Sequence, residues 1–262
     1  MDHQTLSIGI AGHIATVTLN RPEVRNAFND VSIAELAVTF AELGRIDQVR
    51  VIVLAANGPA FCAGADLHWM KKMAGYTEAE NLADATRLAD MLRIIYECPK
   101  PVVAKVQGDC YAGGMGLVAA CDIAVAARDA CFCLSEVRLG LIPATISPYV
   151  IRAMGPNAAR RYFLTAERFS AQEAHRIGLV HDVCNADALD EEVATIAASL
   201  ASNSPQAVRE AKRLVRDMAG QAVTDTLLMD TAERIAGTRA SVEGREGVTA
   251  FLEKRNPSWQ NA

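Results

Sequence analysis

Two apolar runs rich in β-branched residues constrain the fold of this chain more than any other feature. They are RVIVLAA at residues 50–56 and PVVAKVQG at 101–108. Continuous apolar runs of this length are typical of strands buried on both faces of a sheet. Between them, residues 77–97 read as a long helix that starts at Thr77 and has Glu78 and Glu80 in its first turn. Strand, helix and strand in this order predict an α/β layered fold.

The remaining segments extend this pattern. The alternating runs LSIGI and IATVTL predict a β-hairpin near the start, followed by a helix over about 31–43. Residues 57–75 are predicted to form a glycine-bearing loop, and a helix over about 113–121 precedes two short strands, DIAVAA and CFCLSE. After Pro143 the chain is predicted to be helical throughout, at 147–154, 157–164, 170–177, 186–203, 204–219, 221–237 and 241–254.

Charge and cysteine content exclude several classes of function. The net charge is −5 and no block of lysine or arginine occurs, so we expect no nucleic-acid partner. Seven cysteines are an odd number without the spacing of a zinc site, which favours a reduced protein and no metal. No run of 18 apolar residues and no signal-peptide pattern is present, so we expect no membrane span and a cytoplasmic location.

Two loops of small residues are the candidate chemical features. AFCAGADL at 60–67 and YAGGMG at 111–116 each follow a buried strand. Backbone N–H groups in such loops are not screened by bulky side chains, so two adjacent loops can direct two donors at one oxygen as an oxyanion hole. The alternative is that each loop only allows tight packing between a strand and a helix.

Six motifs together resemble the enoyl-CoA hydratase/isomerase (crotonase) superfamily. Besides the two loops, they include LSEVRLGLIP at 134–143, NRPEVRNAF near the start, RRYFLTAERFSAQEAHRIGLV at 160–180 and FLEKR at 251–255. The resemblance implies a crotonase-like ββα spiral core, assigned to residues 1–195, and a C-terminal helical trimerisation region at 196–262. It also implies an acyl-CoA substrate, no separate cofactor, and a homo-oligomer that is a trimer or a dimer of trimers.

The resemblance also implies roles for individual residues. The N–H groups of Ala65 and Gly113 would hold the thioester oxygen, and Gly113 would add the positive end of a helix dipole. Glu136 matches a catalytic glutamate of the family. Coenzyme A would be lined by Val24, Arg25, Ala63, Asp66, Leu67, Phe251 and Lys254, and the substrate pocket by His68, Gly116, Ala144 and Ser147.

One position departs from the family pattern. Hydratases of this family typically carry a second glutamate in the helix after the glycine loop, and that position is Gly116 here. Hydration needs a base for water, an acid for the α-carbon and stabilisation of the enolate, whereas a 1,3-proton shift needs only one base. This single position therefore favours an isomerase that uses Glu136.

A longer stretch favours hydration. CLSEVRLGLIPATISPYVIRAMG and ARRYFLTAERF resemble the bacterial branch that hydrates 3-methylglutaconyl-CoA in leucine degradation or isohexenylglutaconyl-CoA (γ-carboxygeranoyl-CoA) in acyclic terpene catabolism. Such substrates bring their own carboxylate, which, directly or through a water, would replace the missing one. We therefore expect a methylglutaconyl-type enoyl-CoA hydratase, with a Δ3-Δ2 enoyl-CoA isomerase as the alternative. A catalytically silent CoA-binding or RNA-binding relative is a third reading, which the retained Glu136 and the acidic charge disfavour.

Overall fold

A computed structural model describes residues 3–260 of the chain, in which ten strands and ten α-helices are assigned. The strands are β1 (Leu6–Ala11), β2 (Ile14–Leu19), β3 (Val51–Ala56), β4 (Ala60–Cys62), β5 (Val102–Val106), β6 (Asp109–Tyr111), β7 (Ile123–Ala127), β8 (Cys131–Cys133), β9 (Phe169–Ser170) and β10 (Asp182–Cys184). The helices are α1 (Asp30–Leu43), α2 (Leu67–Met73), α3 (Glu78–Glu97), α4 (Gly113–Ala120), α5 (Ser147–Thr165), α6 (Ala171–Arg176), α7 (Leu189–Ser202), α8 (Pro205–Met218), α9 (Asp225–Ala240) and α10 (Val242–Glu253).

The strands form two sheets, and from β3 to β8 successive strands alternate between them. The larger sheet has the order β1-β2-β3-β5-β7-β10 and the smaller one β4-β6-β8-β9. β1 pairs antiparallel with β2 and β8 pairs antiparallel with β9, and the other pairings are parallel. A long strand is followed by a short strand and then helix in β3-β4-α2, β5-β6-α4 and β7-β8-α5. This repetition is the ββα spiral expected from the sequence motifs.

The strands β3 and β5 are buried on both faces, as their apolar runs predict. Within β3, Ile52 and Leu54 belong to a cluster with α1, α3, α4 and α5, whereas Val51 and Val53 belong to a second cluster under α7. Side chains that alternate between the two faces of a strand explain this division. α7 therefore belongs to the core by its packing, although the predicted boundary between residues 195 and 196 falls inside it.

Some segments differ from the sequence predictions. The loop expected at 57–75 contains β4 and α2, and the all-helical stretch expected after Pro143 contains β9 and β10. The two helices predicted at 147–154 and 157–164 are confirmed, because α5 is interrupted at Gly155, where φ of +75° and ψ of 158° are not helical. The strands that were missed have two or three residues, too few to show an alternating pattern.

The C-terminal helices have little buried surface within one chain. Neither α8 nor α9 contains a buried residue, and in α10 only Ala250 is buried. Their exposed apolar side chains include Val215, Leu228, Met229, Ile235, Val242 and Leu252. In the described part of the chain, none of the helices has the length and apolar character to cross a bilayer.

Candidate active site

The candidate site lies at the carboxyl ends of three neighbouring parallel strands. β4 pairs with β6 and β6 with β8, so the segments that follow these strands lie side by side. Ala65 follows β4, Gly113 follows β6 and Glu136 follows β8, each within three residues of the strand end. The carboxyl edge of a parallel sheet is where ligands bind in open α/β folds. The topology thus brings together the three residues predicted to carry the chemistry.

In the first glycine loop (residues 63–66), backbone pairing with Phe28 determines where the N–H of Ala65 points. The N–H of Phe28 donates to the carbonyl of Gly64 at 2.7 Å, and the N–H of Asp66 donates to the carbonyl of Phe28 at 2.7 Å. This parallel bridge uses the groups on either side of Ala65, so the N–H of Ala65 faces away from Phe28. It has no acceptor among the residues that the structure describes.

In the second glycine loop (residues 112–116), an unusual backbone conformation presents the N–H of Gly113. Ala112 has φ +48° and ψ −119°, and its N–H donates to the carbonyl of Cys133 at 2.8 Å. A non-glycine residue in such a conformation is strained and is typically found at functional sites. Gly113 is the first residue of α4, and its N–H has no acceptor within residues 3–260. A free N–H at a helix start is suited to a developing negative charge.

The two glycine loops contact each other directly. Gly64 has φ +94°, and a Cβ atom there would lie 3.1 Å from the Cβ of Ala112. Glycine is therefore required at this position both by its left-handed backbone and by the neighbouring loop. The close approach holds the two unpartnered N–H groups on adjacent segments, which is the arrangement that an oxyanion hole requires.

Glu136 is the candidate acid–base group of the site. It begins a short 3-10 helix (Glu136–Leu139) and is half-buried, and its Oε2 atom is buried without a hydrogen-bond partner in the described structure. Burial raises the pKa of this carboxyl, and no charged neighbour among the described residues contributes to the shift. A carboxyl group with a raised pKa and an unused oxygen is suited to general acid–base catalysis.

Gly116, at the position where hydratases of this family typically carry a second carboxylate, is enclosed by packing. A Cβ atom on Gly116 would lie 2.2 Å from Cγ2 and 2.8 Å from Cβ of Ile146, and 3.6 Å from Cδ2 of Leu92. Ile146 is buried, immediately before α5. Gly116 therefore contacts an apolar side chain, and any larger residue at this position requires Ile146 to move.

Asp66, one of the residues predicted to contact coenzyme A, has its carboxylate engaged within the chain. It caps α2 by accepting from the N–H groups of His68 and Trp69, and Arg21 donates to it at 2.8 Å. Burial alone would raise the pKa of Asp66, but these hydrogen bonds outweigh burial and lower it. The Asp66 side chain thus anchors the first glycine loop to α2 and to Arg21.

The residues predicted to line coenzyme A lie in three segments: Val24 and Arg25 before α1, Ala63, Asp66 and Leu67 around the first glycine loop, and Phe251 and Lys254 at the end of α10. The first two segments meet, because the N–H of Ala63 donates to the carbonyl of Arg25 at 3.0 Å. Leu67 and Phe251 are exposed apolar side chains, at 80% and 82% of their surface. α10 packs against α8 and α9.

The predicted pocket residues have different surroundings. His68 is exposed at the start of α2, and Ala144 is exposed in the segment between Glu136 and α5. The hydroxyl of Ser147 donates to the carbonyl of Ala144 at 2.8 Å, which caps the turn into α5.

In the described part of the chain, no group of three or more His, Cys, Asp or Glu side chains is placed to hold a metal ion.

Sequence reasoning missed two features of the site, the strained Ala112 and the Ile146 that covers Gly116, and one of the helix that follows the first glycine loop, the indole Nε1 of Trp69 in α2. This Nε1 is buried without a partner among the described residues. A cluster of glycines directly after a short strand such as β6 indicates a strained turn. No local pattern reveals the contact between Gly116 and Ile146, which are 30 positions apart.

Comparison with known proteins gives a consistent family. The model of the enoyl-CoA hydratase/isomerase family matches residues 9–262. The chain is 45% identical to a solved enoyl-CoA hydratase from Shewanella pealeana, with a TM-score of 0.95 over 98% of this chain and 96% of that one. It is 34% identical to a solved enoyl-CoA hydratase from Mycobacterium smegmatis, with a TM-score of 0.92 over 98% and 99%. It is also 36% identical to the mevalonyl-coenzyme A hydratase sidH of Aspergillus fumigatus, over 95% of this chain and 92% of that protein.

Proposed function

The chain belongs to the enoyl-CoA hydratase/isomerase family, and we propose that it hydrates the 2,3-double bond of a branched enoyl-CoA. The preferred substrate is 3-methylglutaconyl-CoA or a related glutaconyl-CoA such as isohexenylglutaconyl-CoA. The observation that carries this proposal is Glu136, a half-buried carboxyl with a raised pKa and an unpartnered oxygen, which follows the strand next to the two that precede the unpartnered N–H groups.

In the proposed reaction one carboxylate handles both proton transfers. The Glu136 carboxylate accepts a proton from water while the water oxygen forms a bond to C3, and the C2–C3 π electrons move onto the thioester as an enolate. The N–H groups of Ala65 and Gly113 stabilise the enolate oxygen. The Glu136 carboxyl then donates its proton to C2, which regenerates the carboxylate and completes the addition of water.

The surroundings of Gly116 support a substrate that carries its own polar group. With Ile146 packed on Gly116, this part of the site is apolar and contributes no second carboxylate to orient water. The carboxylate of a glutaconyl group, or a water that it orders, would take that role. The relative sidH is named for mevalonyl-CoA, which also has a methyl branch at C3 and an oxygen at C5.

The same observation favours one alternative, a Δ3-Δ2 enoyl-CoA isomerase. A single base is sufficient to remove a proton from one carbon and return it two carbons away. The ultraviolet band of the conjugated enoyl thioester separates the two reactions. Hydration removes the conjugation, so absorbance falls, whereas isomerisation of a 3-enoyl-CoA creates it, so absorbance rises.

The experiment that tests the proposal is a substrate panel. We expect 3-methylglutaconyl-CoA or isohexenylglutaconyl-CoA to lose absorbance with a kcat/KM at least about 10-fold above that of crotonyl-CoA, since lost polar recognition costs at least this much. A rise in absorbance with 3-enoyl-CoA, together with no change for any 2-enoyl-CoA, would establish the isomerase instead.

The assembly and location are also proposals. The exposed apolar side chains of α8–α10 support a trimer or a dimer of trimers, in which these helices pack on neighbouring copies. Light scattering coupled to size-exclusion chromatography measures the number of copies in the assembly directly.

The seven cysteines are all free in the structure, which suits the reducing cytoplasm. Roles in leucine degradation or acyclic terpene catabolism follow from the proposed substrates.

A further inference from the structure

We infer that Phe28 is a positioning residue that sets the relative placement of the two oxyanion-hole donors. Its backbone fixes the loop that carries Ala65, and its ring supports the helix start that carries Gly113. This inference rests on the proposed function, because it takes these two N–H groups as the receptors of the thioester oxygen.

The backbone contribution is the parallel bridge between Phe28 and Ala65. The two hydrogen bonds of the bridge are both 2.7 Å long and involve the main chain on each side of Ala65. They leave the peptide of Ala65 no freedom to rotate, so its N–H stays directed away from Phe28 and toward the site.

The ring contribution is a close contact with Gly113. A Cβ atom on Gly113 would lie 2.8 Å from Cε2 and 3.0 Å from Cδ2 of Phe28. The ring is 2% exposed, so it is held tightly by its surroundings and cannot swing away. It therefore acts as a fixed wall against which the first residue of α4 rests.

The segment around Phe28 is itself rigid. Arg25 and Asn26 are consecutive left-handed residues, with φ of +53° and +54°. Buried Asn26 donates through Nδ2 to the carbonyls of Asn57 and Ala60, at 2.8 and 2.9 Å, which ties the turn to the start of β4. On the other side of Phe28, Asn29 caps α1. Phe28 thus links three elements distant in sequence: the turn before α1, the first glycine loop and α4.

Replacement of the ring separates its role from that of the backbone. Phe28→Ala keeps the hydrogen-bonded bridge but removes the wall behind Gly113. We expect kcat to fall about 10- to 100-fold with KM changed less than about 3-fold, because a displacement of around 1 Å at a reacting group has effects of this size. Phe28→Leu, which retains part of the contact, is expected to recover much of the loss.

A spectroscopic readout distinguishes positioning from general destabilisation. Butyryl-CoA labelled with a heavy isotope at its carbonyl carbon cannot be hydrated, and its carbonyl stretching frequency falls when two donors hold the oxygen. We expect this lowering in the wild-type protein, a smaller lowering in Phe28→Ala and an intermediate one in Phe28→Leu. Phe40→Leu is the matched control, since Phe40 is an equally buried ring in α1; it should lower thermal stability and leave the frequency unchanged.

The outcomes separate this inference from the proposed function. If the wild-type protein binds butyryl-CoA without lowering the frequency, the oxyanion role of Ala65 and Gly113 fails, and the inference fails with it. If the wild-type protein lowers the frequency and both Phe28 variants lower it equally, the proposed function stands and the role of Phe28 is overturned. Should Phe28→Ala not fold, the comparison of Phe28→Leu with Phe40→Leu gives the same decision.

Discussion

Glu136 and Gly116 stand at the two positions where a pair of catalytic carboxylates is expected, yet their surroundings are opposite. Glu136 lies on a short 3-10 helix and keeps one oxygen without a partner in the described structure. Gly116 lies inside α4 and is covered by Ile146. The first position holds a carboxylate oxygen without a partner, whereas the second is filled by core packing. The absence of a second carboxylate is therefore accompanied by a packing arrangement that excludes one.

The largest effect on activity should come from a change at Glu136. Glu136→Gln keeps the size of the side chain but cannot accept a proton, so we expect kcat to fall about 10³-fold or more. Steady-state assays on the best substrate of the panel measure this loss. Glu191→Gln, an exposed residue at the start of α7, serves as the control and should be fully active. Retention of more than a tenth of the activity by Glu136→Gln would remove Glu136 from the mechanism.

A change at Gly116, the position filled by core packing, should lower the free energy of unfolding. Gly116→Ala places a Cβ atom against Ile146, and overpacking of this kind costs about 1–3 kcal/mol of unfolding free energy. In Gly237→Ala, also in a helix but with open space around it, the same change should stabilise by up to about 1 kcal/mol. Chemical denaturation measures both. Addition of Ile146→Ala to Gly116→Ala should recover part of the loss, and no coupling between the two changes would contradict the packing argument.

A smaller stability effect is expected at Glu136. Burial raises the pKa of its carboxyl in the folded protein, so above this pKa the desolvated charge lowers the free energy of unfolding. At pH 7 Glu136→Gln should therefore be more stable than the wild type, by roughly 1 kcal/mol. The difference should shrink as the pH falls through the raised pKa, because the wild-type carboxyl becomes neutral. Lower stability of the variant at pH 7 would show that the carboxylate has a stabilising partner.

The smallest expected effect is on the pH dependence of activity, which tests whether the Glu136 carboxylate acts as the base. A base must be deprotonated, so kcat/KM should fall as the pH decreases through the raised pKa of Glu136. The acid limb of the profile should lie above 4.5, the ordinary value for a glutamate. A profile that stays flat down to that pH would indicate that Glu136 does not act as the base in the free enzyme.

Sequence patterns predicted most of the fold because its long elements carry strong periodic signals. β3, β5, α1 and α3 begin and end within two residues of their predicted positions. β4 and β6 were missed, since three residues cannot show a pattern, although their pairing is what brings the glycine loops together. The strand β10 was missed because it lies between helices of an otherwise helical region.

The positions of the main residues of the candidate site could be predicted from the sequence, but the contacts around them could not. Ala65, Gly113 and Glu136 could be located from loop composition and family resemblance, and the parallel strands place them at one edge. Their catalytic roles remain predictions. The contacts of Ile146 with Gly116 and of Phe28 with Gly113 could not be foreseen, because they depend on how distant segments pack.

The most direct test of the central claim is to restore the second carboxylate together with the space it needs. The double variant Gly116→Glu, Ile146→Gly is assayed on crotonyl-CoA and 3-methylglutaconyl-CoA, with Ile146→Gly alone as the control; glycine is used because alanine would keep the Cβ atom that lies 2.8 Å from the new one. If the substrate normally supplies the second carboxylate, the double variant should gain activity on crotonyl-CoA and lose it on 3-methylglutaconyl-CoA, where two negative charges would compete. A folded double variant whose ratio of kcat/KM values for the two substrates equals that of the control would contradict the account.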